Sequence, residues 1–188
     1  FLLSLVLLDT GVPPIITMNG ILKLSNVMTD ELCKNLIKYH TNNKESCVRF
    51  THDTPNNSVD CYELSITQGT ALDTLIYNCV VTVIKKYISK YPYFTCSGDV
   101  GYQLREITGK TLEHVDNPID KAGYLRNISI IFGLNSDYEN GEFHFPVQKY
   151  TTTVGCGEAI AFPVYYMYPH YVDAPVGSRY TINTWCKQ

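Results

Sequence analysis

The sequence predicts a mainly β fold, a sandwich or jelly-roll barrel, with helices packed on it from the N-terminal half. Three observations carry this. After Phe94 the chain breaks into short strand-like runs separated by turn residues. Before Phe94, two stretches repeat apolar residues at helical spacing. Fifteen tyrosines in 188 residues add weight to the β side, because tyrosine suits a pleated, half-buried surface. The length suits one domain with one core. With 45% apolar and 18% charged residues the chain is too apolar to be disordered. Fifteen Lys+Arg against eighteen Asp+Glu give a formal charge of −3, which argues against a broad basic face for nucleic acid.

The elements follow in order. Phe1–Leu8 is an apolar run far too short to span a bilayer, with neither the basic flank nor the cleavage site of a signal peptide. Pro13-Pro14 breaks the chain, so residues 1–17 read as an extension and 18–188 as one domain, with helical support over about 18–93 and a β core over about 94–188. Asn19–Leu24 reads as an entering strand. Thr29 can cap a helix whose first turn carries Asp30 and Glu31 at the positive end of its dipole. Leu32, Leu36 and Ile37 carry that helix to about His40. Residues 41–60, rich in Asn, Thr, Asp and Ser, read as loop. A second helix is expected over about Thr70–Lys90, with Leu72, Leu75, Ile76, Val80, Val83, Ile84 and Ile88 as its apolar stripe and Tyr91-Pro92 as its stop. The expected strands are 102–107, 128–134, 142–147, 150–154, 159–163, 171–174 and 179–185, and Asn140-Gly141 signals a hairpin.

The seven cysteines (33, 47, 61, 79, 96, 156 and 186) show no C-x-x-C spacing, so neither a zinc knuckle nor a compact disulfide framework is expected. Scattered thiols in a chain with a sufficient core fit a reducing compartment.

Chemistry concentrates in the C-terminal half. His114 and Asp116 are two residues apart, a spacing that puts both side chains on one face of a strand. His170, on a later segment, can close the set. Two imidazoles and one carboxylate on one face of a metal leave coordination positions open, the arrangement of non-haem Fe(II) oxygenases. An isolated H-x-D also arises from a surface histidine and a turn aspartate. Arg179 follows His170 by nine residues and opens a strand in which Arg179, Thr181, Asn183 and Trp185 alternate onto one face. A guanidinium aimed into a barrel needs a partner. One candidate is a ligand carboxylate gripped by two parallel hydrogen bonds, with Trp185 walling the pocket; the other is an ordinary salt bridge to a Glu or Asp of the chain. His144, between Phe143 and Phe145, reads as outward-facing or hydrogen-bonded rather than as a fourth ligand.

The stretch from Tyr102 to Trp185 resembles the catalytic core of the 2-oxoglutarate- and Fe(II)-dependent dioxygenases, and within them the prolyl 4-hydroxylase-like group. The matching pieces are His114-Val115-Asp116-Asn117-Pro118, Leu134-Asn135 before Asn140-Gly141, Gly157–Pro163, Pro169-His170-Tyr171-Val172, and Arg179-Tyr180 followed by Trp185. The resemblance implies a double-stranded β-helix buttressed by the N-terminal helices. It implies that His114, Asp116 and His170 bind Fe(II) and that Arg179 holds the distal carboxylate of 2-oxoglutarate. The implied reaction consumes O2, releases succinate and CO2, and hydroxylates a side chain, most readily a proline in a protein or peptide; ascorbate is an admissible accessory. Hydroxylation of lysine, a nucleotide or a small metabolite, and a non-catalytic binding or virion module, are the alternatives.

The sequence departs from the group in two places. Gly133 stands where related hydroxylases often carry a tyrosine before Leu-Asn, and Leu104 or Arg105 stands where another tyrosine often precedes the first histidine. Tyr102, Gln103 and Thr181 are the candidates to supply the missing hydrogen bonds, so the expected cosubstrate set is Arg179, Trp185, Thr181 and Gln103.

Overall fold

The structure, a computed structural model, describes residues 16–50, 61–116, 118–119 and 123–188. The N-terminal apolar run, Pro13-Pro14, the second half of the expected 41–60 loop and Asn117 lie outside the described residues.

The chain opens with a hairpin. Strands β1 (Ile16–Met18) and β2 (Ile21–Leu24) pair antiparallel around Asn19-Gly20, whose φ values are 45° and 90°. Both turn residues adopt the left-handed backbone that a two-residue hairpin of this hand requires. Only one entering strand was expected here, although the Asn-Gly pair is the signal that a second strand precedes it.

Helix α1 (Asp30–Asn42) starts where expected, with Thr29 Oγ1 accepting from Leu32 N at 3.2 Å. The stretch expected to be loop holds a short 3-10 turn (Lys44–Ser46) and the start of a hairpin, β3 (Val48–Phe50) with β4 (Cys61–Ser65). Its polar composition hid β3, which lies at a sheet edge. Helix α2 (Ala71–Lys90) is capped by Thr70 and stops at Tyr91. Its buried face is Ile76, Cys79, Val80, Val83 and Tyr87. Leu75 and Ile88, placed in the stripe by sequence, are 47% and 40% exposed. Each sits one position off the true seam, which on a helix is a turn of about 100°.

The β region continues with β5 (Gly98–Asp99), β6 (Gln103–Ile107), β7 (Thr111–His114), β8 (Arg126–Gly133), β9 (Phe143–Phe145), β10 (Tyr150–Thr152), β11 (Ala159–Pro163), β12 (His170–Val172) and β13 (Arg179–Lys187). Two antiparallel sheets result. The larger has the order β1-β2-β11-β8-β13-β6-β4-β3, with β5 on the end of β13; the smaller runs β10-β9-β12-β7. This is a mainly β architecture with two helices, consistent with a jelly roll. The stretch before residue 93 therefore supplies four strands of the larger sheet as well as both helices.

Asn140-Gly141 does take the left-handed backbone of a tight turn, with φ of 59° and 79°. It does not close a hairpin between paired strands. It carries the chain from β8 in the larger sheet to β9 in the smaller.

Alternation along the strands builds two cores. Ile128, Ile130 and Phe132 of β8 join Leu104, Ile182 and Cys186 beneath the helix residues Cys33, Leu36, Ile76 and Val83. Ile131 of the same strand faces the other way, with Ile160 and Phe162, against Phe143, Phe145 and Val172 of the smaller sheet. The candidate site lies in the space between the two sheets.

Candidate metal centre

His114 ends β7 and His170 opens β12, and the pairing of those strands sets the two residues opposite each other. Their rings stand 4.4 Å apart, centroid to centroid. Asp116 follows just past β7, with Oδ1 3.4 Å from His114 Nε2. One ligand atom from each of the three residues lies within 4.8 Å of the others. The strand pair thus brings together two segments more than fifty residues apart in the chain.

Each side chain is held from behind. His114 Nδ1 lies 2.9 Å from the Leu112 carbonyl, and His170 Nδ1 lies 3.2 Å from that of Tyr168. A carbonyl only accepts, so each Nδ1 donates, and each Nε2 is the nitrogen left for the site. Asp116 Oδ2 accepts from Trp185 Nε1 at 3.0 Å and from the Ser129 hydroxyl.

The electrostatics of Asp116 and His170 match a ligand set. Burial alone would raise the Asp116 carboxyl, but the bond from His114, the field of His170 and the Ser129 and Trp185 donors outweigh it and hold it far below the ordinary carboxylate range. The bond to Asp116 raises His114. Burial lowers His170, which keeps that imidazole neutral. An ionised carboxylate and a neutral imidazole are the forms that bind a divalent cation.

Arg179 opens β13 and is 2% exposed. Its Nε and Nη1 are buried with no hydrogen-bond partner among the described residues. The guanidinium lies 5.1 Å from the Phe143 ring centroid. Burial pulls its pKa down to about 10, so it stays charged near neutrality. A buried, unpartnered cation is costly, and its free donors suit a carboxylate. A cavity of about 60 Å³ is lined by His114, Asp116, His170 and Arg179 together, with Phe143, Asn183 and Trp185 among its other walls.

The remaining expected site residues divide. Trp185 lines the cavity, and its indole is engaged with Asp116. Thr181 faces the same side of β13 but donates its hydroxyl to Asn183 Oδ1 at 2.7 Å. Gln103 is not among the lining residues; its Oε1 accepts from Arg105 Nη2 at 2.6 Å. Tyr102 points the opposite way, into the helix-side core, and donates to Asp99. These three are thus committed elsewhere, because alternation on β6 and neighbouring partners on β13 decide the direction of each side chain.

The departure at Gly133 has a steric cause. A Cβ there would fall on the carbonyl oxygens of Val154 and Gly155, so no tyrosine fits. A tyrosine stands nearby from another position. Tyr138 and the Arg179 Cδ flank Gly141, where an added Cβ would come within 3.0 Å and 3.3 Å of them. Nothing in the sequence analysis gave Tyr138 a part in the site. Sequence reasoning also passed over Ser129, the single hydroxyl in the apolar run Ile128–Phe132, which was the available signal of a polar requirement.

His144 faces away from the cavity, as expected. It bonds Asp173 Oδ2 at 2.6 Å and Thr151 at 3.2 Å, and stacks on Tyr171.

No family model matches the sequence, and no curated protein matches it at a significant level. Solved structures do match the fold. A prolyl hydroxylase from Trichoplax adhaerens, in complex with a peptide fragment of the hypoxia inducible factor oxygen degradation domain, aligns with a TM-score of 0.69 at 17% identity over 90% of this chain and 84% of that one. A viral collagen prolyl hydroxylase from Paramecium bursaria Chlorella virus-1, as its 2OG complex, aligns with a TM-score of 0.69 at 16% identity over 90% and 96%. A prolyl-4-hydroxylase from Pseudomonas putida aligns with a TM-score of 0.64 at 15% identity over 90% and 92%. The chain has a prolyl 4-hydroxylase-like 2-oxoglutarate oxygenase fold.

Proposed function

We propose that this chain is a 2-oxoglutarate- and Fe(II)-dependent dioxygenase on a double-stranded β-helix, and that it hydroxylates a proline in a protein or peptide, with release of succinate and CO2. One observation carries the reading. A two-His, one-carboxylate cluster and a buried guanidinium without a partner line the same cavity. A purely structural barrel gains nothing from those four polar groups in its interior, and their burial is costly. The fold of the three prolyl hydroxylases supports the choice of proline.

In this reading His114, Asp116 and His170 would hold the ferrous ion. The ion with its 2-oxo acid supplies the oxidising power, through decarboxylation of the acid. The chain's own residues do the rest. The Leu112 and Tyr168 carbonyls fix which nitrogen each histidine presents. Trp185 and Ser129 fix the carboxylate. Arg179 grips the distal carboxylate of 2-oxoglutarate with its two free N–H groups. The apolar walls, Phe143 and Ile131 among them, keep water from the reacting centre.

The test is turnover. Purified protein with Fe(II), 2-oxoglutarate and O2 is offered a panel of proline peptides and read by mass spectrometry. The expected result is a gain of one oxygen on proline with matching succinate, abolished in Asp116→Ala. Oxygen gained on lysine, a nucleotide or a metabolite instead would overturn the proline assignment. Absence of succinate under every condition would overturn the enzyme reading.

A further inference from the structure

Cys61 and Arg179 share one row of the larger sheet. Cys61 of β4 and Arg179 of β13 each pair with Ile107 of β6, one from either side. Residues directly opposite on antiparallel strands point to the same face. The thiol, the Ile107 side chain and the guanidinium therefore face the same way, and two strand spacings put the outer pair about 10 Å apart at Cα. All three line the cavity of about 60 Å³ that also holds His114, Asp116 and His170. Cys61 is the only thiol among the residues lining it.

We infer that Cys61 is a covalent modification site for short α,β-unsaturated dicarboxylic acids, which Arg179 draws into the cavity and the Cys61 sulfur captures. The inference rests on the reading of Arg179 as a carboxylate grip. The guanidinium is 2% exposed, and its Nε and Nη1 have no hydrogen-bond partner among the described residues, so the cavity calls for an anion. A saturated diacid held there leaves the thiol untouched. A diacid whose C=C bond is conjugated to a carboxylate is an electrophile, and a cysteine sulfur is the nucleophile suited to it. Holding that acid by one carboxylate on the row that carries the sulfur makes the addition effectively intramolecular. Cys47, Cys96 and Cys156 are less buried, but none of them lines this cavity.

The step is a conjugate addition. An electron pair on sulfur forms an S–C bond to the carbon β to one carboxylate, and the C=C π bond breaks. The proton of the thiol ends on the neighbouring carbon, α to that carboxylate. The elements of S–H have added across the double bond, nothing leaves, and no oxidant or reductant is consumed. The product is a thioether carrying two carboxylates in the cavity, where it blocks the cosubstrate.

The experiment uses the whole chain, reduced and then freed of reductant. It is incubated with fumarate near neutral pH, digested and mapped by mass spectrometry. The expected result is the mass of one fumarate on Cys61, ahead of the less buried Cys47, Cys96 and Cys156. Excess succinate, the saturated counterpart, is expected to prevent it, and Arg179→Met to slow it on the order of 10- to 100-fold. Cys61 left unmodified, an adduct that succinate does not prevent, or an equal rate in Arg179→Met would overturn the inference. So would the same preference for Cys61 with the neutral reagent iodoacetamide, since the carboxylate would then play no part. Calorimetric binding of 2-oxoglutarate and turnover on the same preparation test the function separately. Binding of 2-oxoglutarate with Cys61 untouched by fumarate sinks the modification alone. Capture of fumarate on Cys61 with no turnover of 2-oxoglutarate supports the modification and sinks the dioxygenase.

Discussion

Trp185 Nε1 donates to Asp116 Oδ2 at 3.0 Å, joining the end of β13 to the carboxylate beside His114. The indole is itself flanked by guanidinium groups, Arg126 at 4.3 Å and Arg105 at 5.9 Å from its ring centroid. Such contacts add modest attraction and hold the ring's orientation. The carboxylate therefore has its direction set by a residue sixty-nine positions away in the sequence.

If that bond orients a metal ligand, Trp185→Phe keeps the wall and loses the donor. Mn(II) affinity, measured by calorimetric titration as a stand-in for Fe(II), is expected to fall roughly 10- to 100-fold. Unchanged affinity would remove Trp185 from the account of the metal site.

Arg179 separates ligand binding from folding. Its unpartnered buried charge costs the apo protein, so Arg179→Met is expected to leave the melting temperature equal or higher. The same change removes a charge-assisted pair from the diacid, and 2-oxoglutarate affinity should drop on the order of 100-fold, about 3 kcal/mol. A variant that binds 2-oxoglutarate normally would contradict the role given to the guanidinium.

Gly133 is expected to tolerate no side chain. In Gly133→Ala the new methyl meets the Val154 and Gly155 carbonyls, which are backbone and cannot swing aside. A loss of about 3 kcal/mol in urea unfolding is expected. Wild-type stability would mean that the loop over 154–157 moves freely.

Acid stability should depend on Glu106, behind the larger sheet. Burial alone would raise its carboxyl, but Lys44 at 2.7 Å, Ser178 and Tyr180 outweigh burial and lower it below the ordinary 4.5. A folded-state value below the unfolded one gives stabilisation that is complete above the unfolded value and fades as pH falls through the folded one. Urea midpoints taken from neutral pH downward should thus fall less steeply for Glu106→Gln than for wild type. Parallel curves would show that the Lys44 contact contributes nothing.

Much of this was legible in the sequence, for reasons that differ between residues. His114 and Asp116 could be paired because a strand repeats every two residues, and the face shared by Arg179, Asn183 and Trp185 followed from the same rule. What the rule cannot say is which neighbour each side chain meets. Gln103 and Thr181 looked available because Arg105 and Asn183, their partners, are fixed only by folding. Strand β3 was hidden because edge strands tolerate polar residues, so its surroundings resemble loop. Asn140-Gly141 gave the backbone shape correctly but not the sheet change, because a turn's φ values carry no information about which strands pair beyond it. The Tyr138 and Arg179 proximity depends on a bare Cα at Gly141, which only coordinates reveal.

The central claim is that a divalent metal and an organic diacid bind together in one cavity, through His114, Asp116 and His170 on one side and Arg179 on the other. The most direct measurement is a calorimetric titration of 2-oxoglutarate into the protein with and without Mn(II). The account predicts about one molecule per chain, bound tightly only when the metal is present and lost in His170→Ala. Binding of equal strength without metal, or undiminished in His170→Ala, would contradict it.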